Sequence, residues 1–263
     1  MNTVFVTLCD EAYFYKARQT VKDLRTRGCW YGDVVLITVD FTPPAEFLDE
    51  YAVRTVSFPR LDVSHYVEKI KQKRFTVPTN DGRELTKLTQ WEKLHAFEPY
   101  FKKWERMVWV DAGLRILNHV KHLLALPWKG KFVAPDDCAG KDYRFGIAVE
   151  LEHWPDALTA VQEKYGVRFD SRYFINCVWI HDTNLPVTVE DFLPLLEYPI
   201  WRHNEMGVMN AVLNFKHGLW VPFPDRAADG KFLFRWSDLD YGILSHWSEF
   251  CVIKYGVGIK FDI

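Results

Sequence analysis

This sequence lacks most of the features that would assign it a function class outright. Its net charge is −2, from 33 Lys and Arg against 35 Asp and Glu, so no overall field favours nucleic acid or an anionic lipid surface. No apolar run approaches the ~20 residues needed to span a bilayer. The opening MNTVFVTLCDEAYF reads as a strand followed by polar residues, without the basic start and apolar core of a secretory signal. Cysteine is sparse: Cys9, Cys29, Cys138, Cys177 and Cys251 are odd in number and widely spaced, with no CxxC. That argues against a disulfide framework or a structural zinc site, and a cytoplasmic setting is expected. The cradles GxGxxG and GxxxxGK[ST] are missing, as are a GxSxG elbow and an HExxH helix. Dehydrogenase, nucleotide triphosphatase, hydrolase and metalloprotease readings are weakened accordingly. No Ser/Gly/Pro-rich linker, low-complexity tract or internal repeat interrupts the 263 residues, so one domain is expected.

What the chain does have is apolar and aromatic side chain, 48% hydrophobic and 16% aromatic with 11 Trp. That suits a large α/β core; aromatics also line sugar and base sites, so the count does not choose between the two uses. Thr3–Leu8 is β-branched and apolar, a first strand. Ala12–Arg27 carries Phe14, Ala17, Val21 and Leu24 at helical spacing and is stopped by Gly28. Val34–Val39 and Val53–Phe58 read as further strands, with a helix start at Thr42-Pro43-Pro44 between them. This β-α-β-α-β order implies a parallel sheet with right-handed crossovers.

The central stretch runs from Leu85 to Leu117. Leu85, Leu88, Trp91 or Glu92, and Leu94 share one face of an expected helix that ends at Pro99. Met107–Val110 follows as a buried strand stopped by Asp111, and Leu114–Leu117 as a short one. Further on, Lys131–Ala134 and Tyr173–Ile180 read as strands, with shorter candidates at Trp220-Val221 and Ile243–Trp247. Helices are expected over His65–Arg74, His119–Leu126, Pro155–Lys164 and Asn204–Phe215, and weakly over Val189–Leu196. Three carboxylates, Asp10, Asp111 and Asp136, each follow an expected strand, which places them on the rim where open α/β sheets bind ligands.

These segments carry a resemblance. The chain resembles a GT-A glycosyltransferase of the retaining family that contains glycogenin and related galactosyltransferases. Phe5-Val6-Thr7-Leu8 with Ala12-Tyr13, Leu85-Thr86-Lys87-Leu88 with Trp91, and Val110-Asp111-Ala112-Gly113 in the place of an Asp-x-Asp motif fall in the family's order. So do Ala134-Pro135-Asp136, Tyr173–Ile180, Glu205–Asn210 and His246. The resemblance implies a Rossmann-like, mostly parallel sheet in a single domain, with a nucleotide-binding half over roughly 1–117 and a sugar and acceptor half over 118–263. It implies a nucleoside diphosphate sugar donor, UDP- or GDP-linked, an unidentified glycan, lipid or protein acceptor, and a Mn²⁺ or Mg²⁺ ion held by Asp111 and His246.

Further roles follow from the same resemblance. Lys87 would meet the donor phosphates, Tyr13 would stack on the base, and the Leu8 backbone would bond the base's edge. Asp10, Ala112, Gly113 and Asn176 would complete the donor site. Asp136 and Glu205 would face the sugar hydroxyls and are the catalytic candidates. The chain also departs from the family. Gly113 replaces the second aspartate, Met206 stands for glutamine and Glu205 for aspartate, and Ile175-Asn176-Cys177 differs from Asn-Ser-Gly. A catalytically inactive sugar-nucleotide-binding protein therefore stands as the rival reading.

Overall fold

The computed structural model describes residues 2–73, 88–136, 155–168, 171–198, 205–237 and 250–255. The first strand, β1 (Thr3–Asp10), feeds through a 3-10 turn, Glu11–Tyr13, into helix α1 (Phe14–Thr26). The strand β2 (Asp33–Val39), helix α2 (Ala45–Tyr51), strand β3 (Val53–Val56) and helix α3 (Ser64–Lys73) follow. After the central 3-10 segments come β4 (Arg106–Val110), β5 (Leu114–Ile116), α4 (Lys121–Leu124) and β6 (Phe132–Ala134). The remaining strands and α-helices among the described residues are α5 (Pro155–Tyr165), β7 (Val178–Asp182), α6 (Glu205–Met209), β8 (Trp220–Pro222), β9 (Phe232–Ser237) and β10 (Phe250–Tyr255).

Seven strands form one sheet in the order β3-β2-β1-β4-β7-β6-β8. The β1–β2, β1–β4, β2–β3 and β6–β8 pairs are parallel, and β7 runs antiparallel between β4 and β6. Two reversals cancel, so β1, β4 and β6 point the same way, and Asp10, Asp111 and Asp136 sit at one rim. The period-2 alternation of β1 divides the core. Val4, Val6 and Leu8 join an apolar cluster on one face, and Phe5 and Cys9 a second on the other.

The structure departs from the sequence reading in several elements. Leu88–Phe97 is a 3-10 helix rather than an α-helix. At three residues per turn, positions i and i+3 eclipse. Leu88, Trp91, Leu94 and Phe97 therefore form one apolar row against the core. The spacing of three in Leu85, Leu88, Trp91 and Leu94 was itself the 3-10 signal. The expected strand over 173–180 is displaced to Val178–Asp182, because upstream, among the described residues, only Phe174 makes a bridge, to Asp136. The helix over 204–215 starts as α6 and widens into a π-helix over Asn210–Lys216. There Asn210 clamps the Phe174 backbone, accepting from its N–H at 3.0 Å and donating to its carbonyl at 3.0 Å. A second sheet, β5-β10-β9, was not anticipated. The expected strand Ile243–Trp247 lies outside the described residues.

Behind the rim, Trp109 and Trp179 face each other across β4 and β7 and stack at 4.6 Å and 4°. Each indole N–H bonds two residues along its own strand, Trp109 to Asp111 Oδ1 at 2.9 Å and Trp179 to His181 Nδ1 at 3.0 Å. As the acceptor, His181 is a neutral imidazole, and burial pushes its pKa down to about 3, against a small opposing effect of Asp182. The unfolded chain protonates His181 near pH 6.5, so the stability due to the neutral ring is complete above that value. It is lost as pH falls from 6.5 toward 3, at about 1.4 kcal/mol per pH unit. The melting temperature is therefore expected to decline through that window, and more shallowly in His181→Phe. An equal decline in both proteins assigns the acid sensitivity elsewhere.

Candidate active site

The site is built from the ends of β1 and β4 and the 3-10 segment that crosses them. The β1–β4 ladder stops at Val6–Trp109, whereas β1–β2 continues to Asp10–Val39. Among the described residues the first strand is thus laddered beyond Val6 on its β2 edge alone. Leu8 lies in this opening, as does Thr7, whose buried hydroxyl oxygen has no hydrogen-bond partner among the described residues. Asp10 caps the following turn, accepting from the Tyr13 N–H at 3.0 Å, and its other oxygen accepts from Thr89 Oγ1 at 2.8 Å. Tyr13 is exposed beside this turn.

The three rows of the 3-10 segment point to different places. Thr89, Glu92 and His95 form the polar row. Buried Glu92 holds Arg60 Nε at 2.9 Å and His95 Nε2 at 3.0 Å, and Arg60 reaches Asp40 at 3.2 Å. Burial disfavours the charged His95 ring, but Glu92 and Glu98 outweigh burial and raise its pKa. This row borders a hollow of about 520 Å³ over the ends of β2 and β3, which includes Asp40, Phe41, Ser57 and Arg60.

The remaining row carries Lys93, which the sequence reading passed over in favour of Lys87. Lys93 is buried and its ammonium sits 2.9 Å from Asp111 Oδ1, 3.0 Å from Asp111 Oδ2 and 2.9 Å from Glu205 Oε1. It also reaches the Asn176 carbonyl at 3.4 Å. Asn176 Nδ2 donates to the same Glu205 Oε1 at 3.0 Å, while buried Glu205 Oε2 has no partner among the described residues. Desolvation alone would lower the Lys93 pKa, but Asp111 and Glu205 outweigh it and raise it, so the ammonium stays charged. Of the three side chains Asp111 is the most open, at 15% against 7% for Lys93 and 3% for Glu205. Asp111, Asn176 and Glu205 thus meet on one cation. A lysine amid Trp91, Leu94 and Phe97 was the available signal: an ammonium carried into an apolar run needs a carboxylate partner.

After Asp111 the chain turns through Ala112 to Gly113, where φ is +96°. An L side chain there would be strained by about 1–2 kcal/mol. A Cβ would also stand 3.3 Å from Lys16 Cδ. Thr20 Oγ1 accepts from the Gly113 N–H at 3.0 Å and donates to the Leu114 carbonyl at 2.9 Å, which seats the turn on α1. Asp136 is further along the rim and is paired with Arg172, whose Nε lies 2.7 Å from Oδ2. Lys87 and His246 lie outside the described residues. Among the described residues no group of three or more His, Cys, Asp or Glu side chains could hold a metal ion. Among them Asp111 already faces an ammonium and Gly113 stands where the family has its second aspartate, so the described residues alone do not fit a Mn²⁺ or Mg²⁺ ion; the other expected ligand, His246, lies outside them.

No protein-family model and no curated protein matches the chain. Its fold, with this sheet and rim, is that of the GT-A glycosyltransferases. The bifunctional glycosyltransferase WbbM superposes with a TM-score of 0.60 at 12% identity, over 98% of this chain and 46% of WbbM. This chain thus spans less than half of that protein. The galactosyltransferase LgtC, solved with donor and acceptor sugar analogues, gives 0.56 at 11% identity over 97% of this chain and 87% of LgtC. Core-mannan synthase A from Aspergillus fumigatus, solved in a Mn/GDP form, gives 0.50 at 10% identity over 85% of this chain and 73% of that one. Among the described residues no helix is long and apolar enough to cross a membrane.

Proposed function

We propose that the chain is a glycosyltransferase that moves a sugar from a nucleoside diphosphate donor to an acceptor. The observation that carries this reading is the Lys93 ammonium at the end of β4, holding Asp111 and Glu205 together with Asn176. Such a cluster provides acceptors and an amide donor for sugar hydroxyls beside a fixed positive charge, in a place where open sheets bind nucleotides. The Tyr13 ring and the one-sided edge of β1 at Leu8 are assigned to the base. Ala112 and Gly113 bring backbone close to the phosphates, with Asp10 bracing the turn. Asp136, held by Arg172, is placed toward the sugar and acceptor. Retention of configuration, a UDP or GDP donor and a cytoplasmic setting come from the resemblance and the cysteine usage alone.

The inactive-binder reading is favoured by Gly113 and Met206, and one experiment separates the two. The protein is screened by thermal shift against UDP-, GDP- and dTDP-sugars, then assayed for nucleoside diphosphate release with a panel of sugar acceptors. A melting shift with one donor class and acceptor-dependent release are expected. A shift without release with any acceptor supports the binder, and no shift with any donor removes both readings.

A further inference from the structure

We propose that Lys16, rather than a divalent cation held at the Asp-Ala-Gly turn, supplies the positive charge that meets the donor's diphosphate. The inference rests on the transferase reading above. Three observations support it. Both oxygens of Asp111 lie within hydrogen-bond distance of the Lys93 ammonium, so a metal ion there would be bound beside a fixed like charge. The second carboxylate position is Gly113, and the space its side chain would enter faces the aliphatic stem of Lys16, with Cδ at 3.3 Å. Lys16 itself forms no ion pair with a described carboxylate. Its ammonium rests over the Tyr13 ring at 4.7 Å and the Tyr15 ring at 5.7 Å.

The position of Lys16 is fixed from its own helix. Thr20, one turn further along α1, bonds both Gly113 and Leu114, so the face that carries Lys16 is held against the turn. A half-buried ammonium without a counter-charge among the described residues, braced between an aromatic ring and a bare glycine turn, is an anion site prepared in advance. In the transfer, the anomeric C–O bond to the diphosphate breaks with its electron pair left on the phosphate oxygen. The acceptor oxygen bonds the anomeric carbon, and the acceptor's proton ends on the departing diphosphate. The charge that develops on that phosphate is what Lys16 offsets.

The test is calorimetric titration of UDP and of GDP into the full chain, once with EDTA and once with Mn²⁺. One nucleotide is expected to bind with affinities in the two buffers within about threefold of each other. Lys16→Met, which keeps the stem and loses the charge, is expected to weaken it about ten- to a hundredfold in both buffers, and Lys16→Arg to restore most of it. Binding that requires Mn²⁺ overturns the inference and leaves the transferase reading standing; this arm needs no variant. Unchanged binding by a folded Lys16→Met protein also overturns it. Failure of both nucleotides to bind in either buffer overturns the inference for these donors, while the transferase reading stands or falls on the three-donor screen above.

Discussion

Lys93→Met is expected to lower the melting temperature by roughly 6–20 °C. The substitution leaves the partly buried carboxylate of Asp111 and the buried one of Glu205 close together without the cation that faces both. Breaking a buried ion pair by removing one partner costs about 3–5 kcal/mol, and a chain of this size loses roughly 2–4 °C per kcal/mol. The double variant Lys93→Met/Glu205→Gln is expected to recover part of the loss, since one stranded charge is gone; with the Glu205→Gln single variant completing the cycle, the departure from additivity measures the coupling. The pH dependence has a definite sign. The folded pKa of Lys93 is raised above its ordinary 10.5. Its contribution is thus fully present below that value and is lost only as pH rises through the folded pKa. Between neutrality and pH 10 the wild-type and variant melting curves should stay a constant distance apart. A Lys93→Met protein that melts with the wild type would show that the cluster does not hold the site together.

Asp111→Asn is expected to separate stability from activity. Lys93 keeps Glu205 as its partner, so one cation faces one carboxylate and no unpaired charge is buried. The amide oxygen can still accept from the Trp109 indole, which now bonds Asp111 Oδ1. The amide nitrogen then replaces an oxygen 3.0 Å from the Lys93 ammonium and sets a donor against a donor, so the melting temperature should fall by about 2–8 °C, less than in Lys93→Met. Asp111 is also the most open member of the cluster and the one that terminates β4 at the rim. Its loss removes an acceptor and one of the two anchors that orient Lys93, and a displacement of about 1 Å at a reacting centre costs roughly a hundredfold. Donor-dependent nucleotide release is expected to fall by about that factor. Release at the wild-type rate would take Asp111 out of the donor site.

The parts of this site that could be read along the chain are those whose cause is local. An apolar run ended by a carboxylate marks β4 and Asp111 whatever packs around it, and the same holds for β1 and Asp10. The cap Asp10 provides for Tyr13 spans three residues. Lys93 was not legible in the same way. On an α-helical wheel it falls among solvated positions, and only three-residue eclipsing separates its row from that of Trp91 and Leu94. Glu205 and Asn176 lie 29 residues apart and share an oxygen only after α6 packs beside the start of β7. The strand β10 pairs with β9 on one side and with β5 on the other, a pairing between distant segments that no short-range pattern encodes.

The sequence by itself determined the order of strands and helices through the first sixty residues, the end of β4 at Asp111 and the absence of a glycine-rich phosphate cradle, because each depends on neighbours within a turn or two. Tertiary structure alone decided which lysine meets Asp111, that β7 runs backward between two like-directed strands, and that Lys16 lies against Gly113. Those outcomes depend on which distant groups share a low-dielectric interior. There an ammonium, a carboxylate or a missing side chain is defined by what stands opposite it, and the linear order of residues does not contain that information.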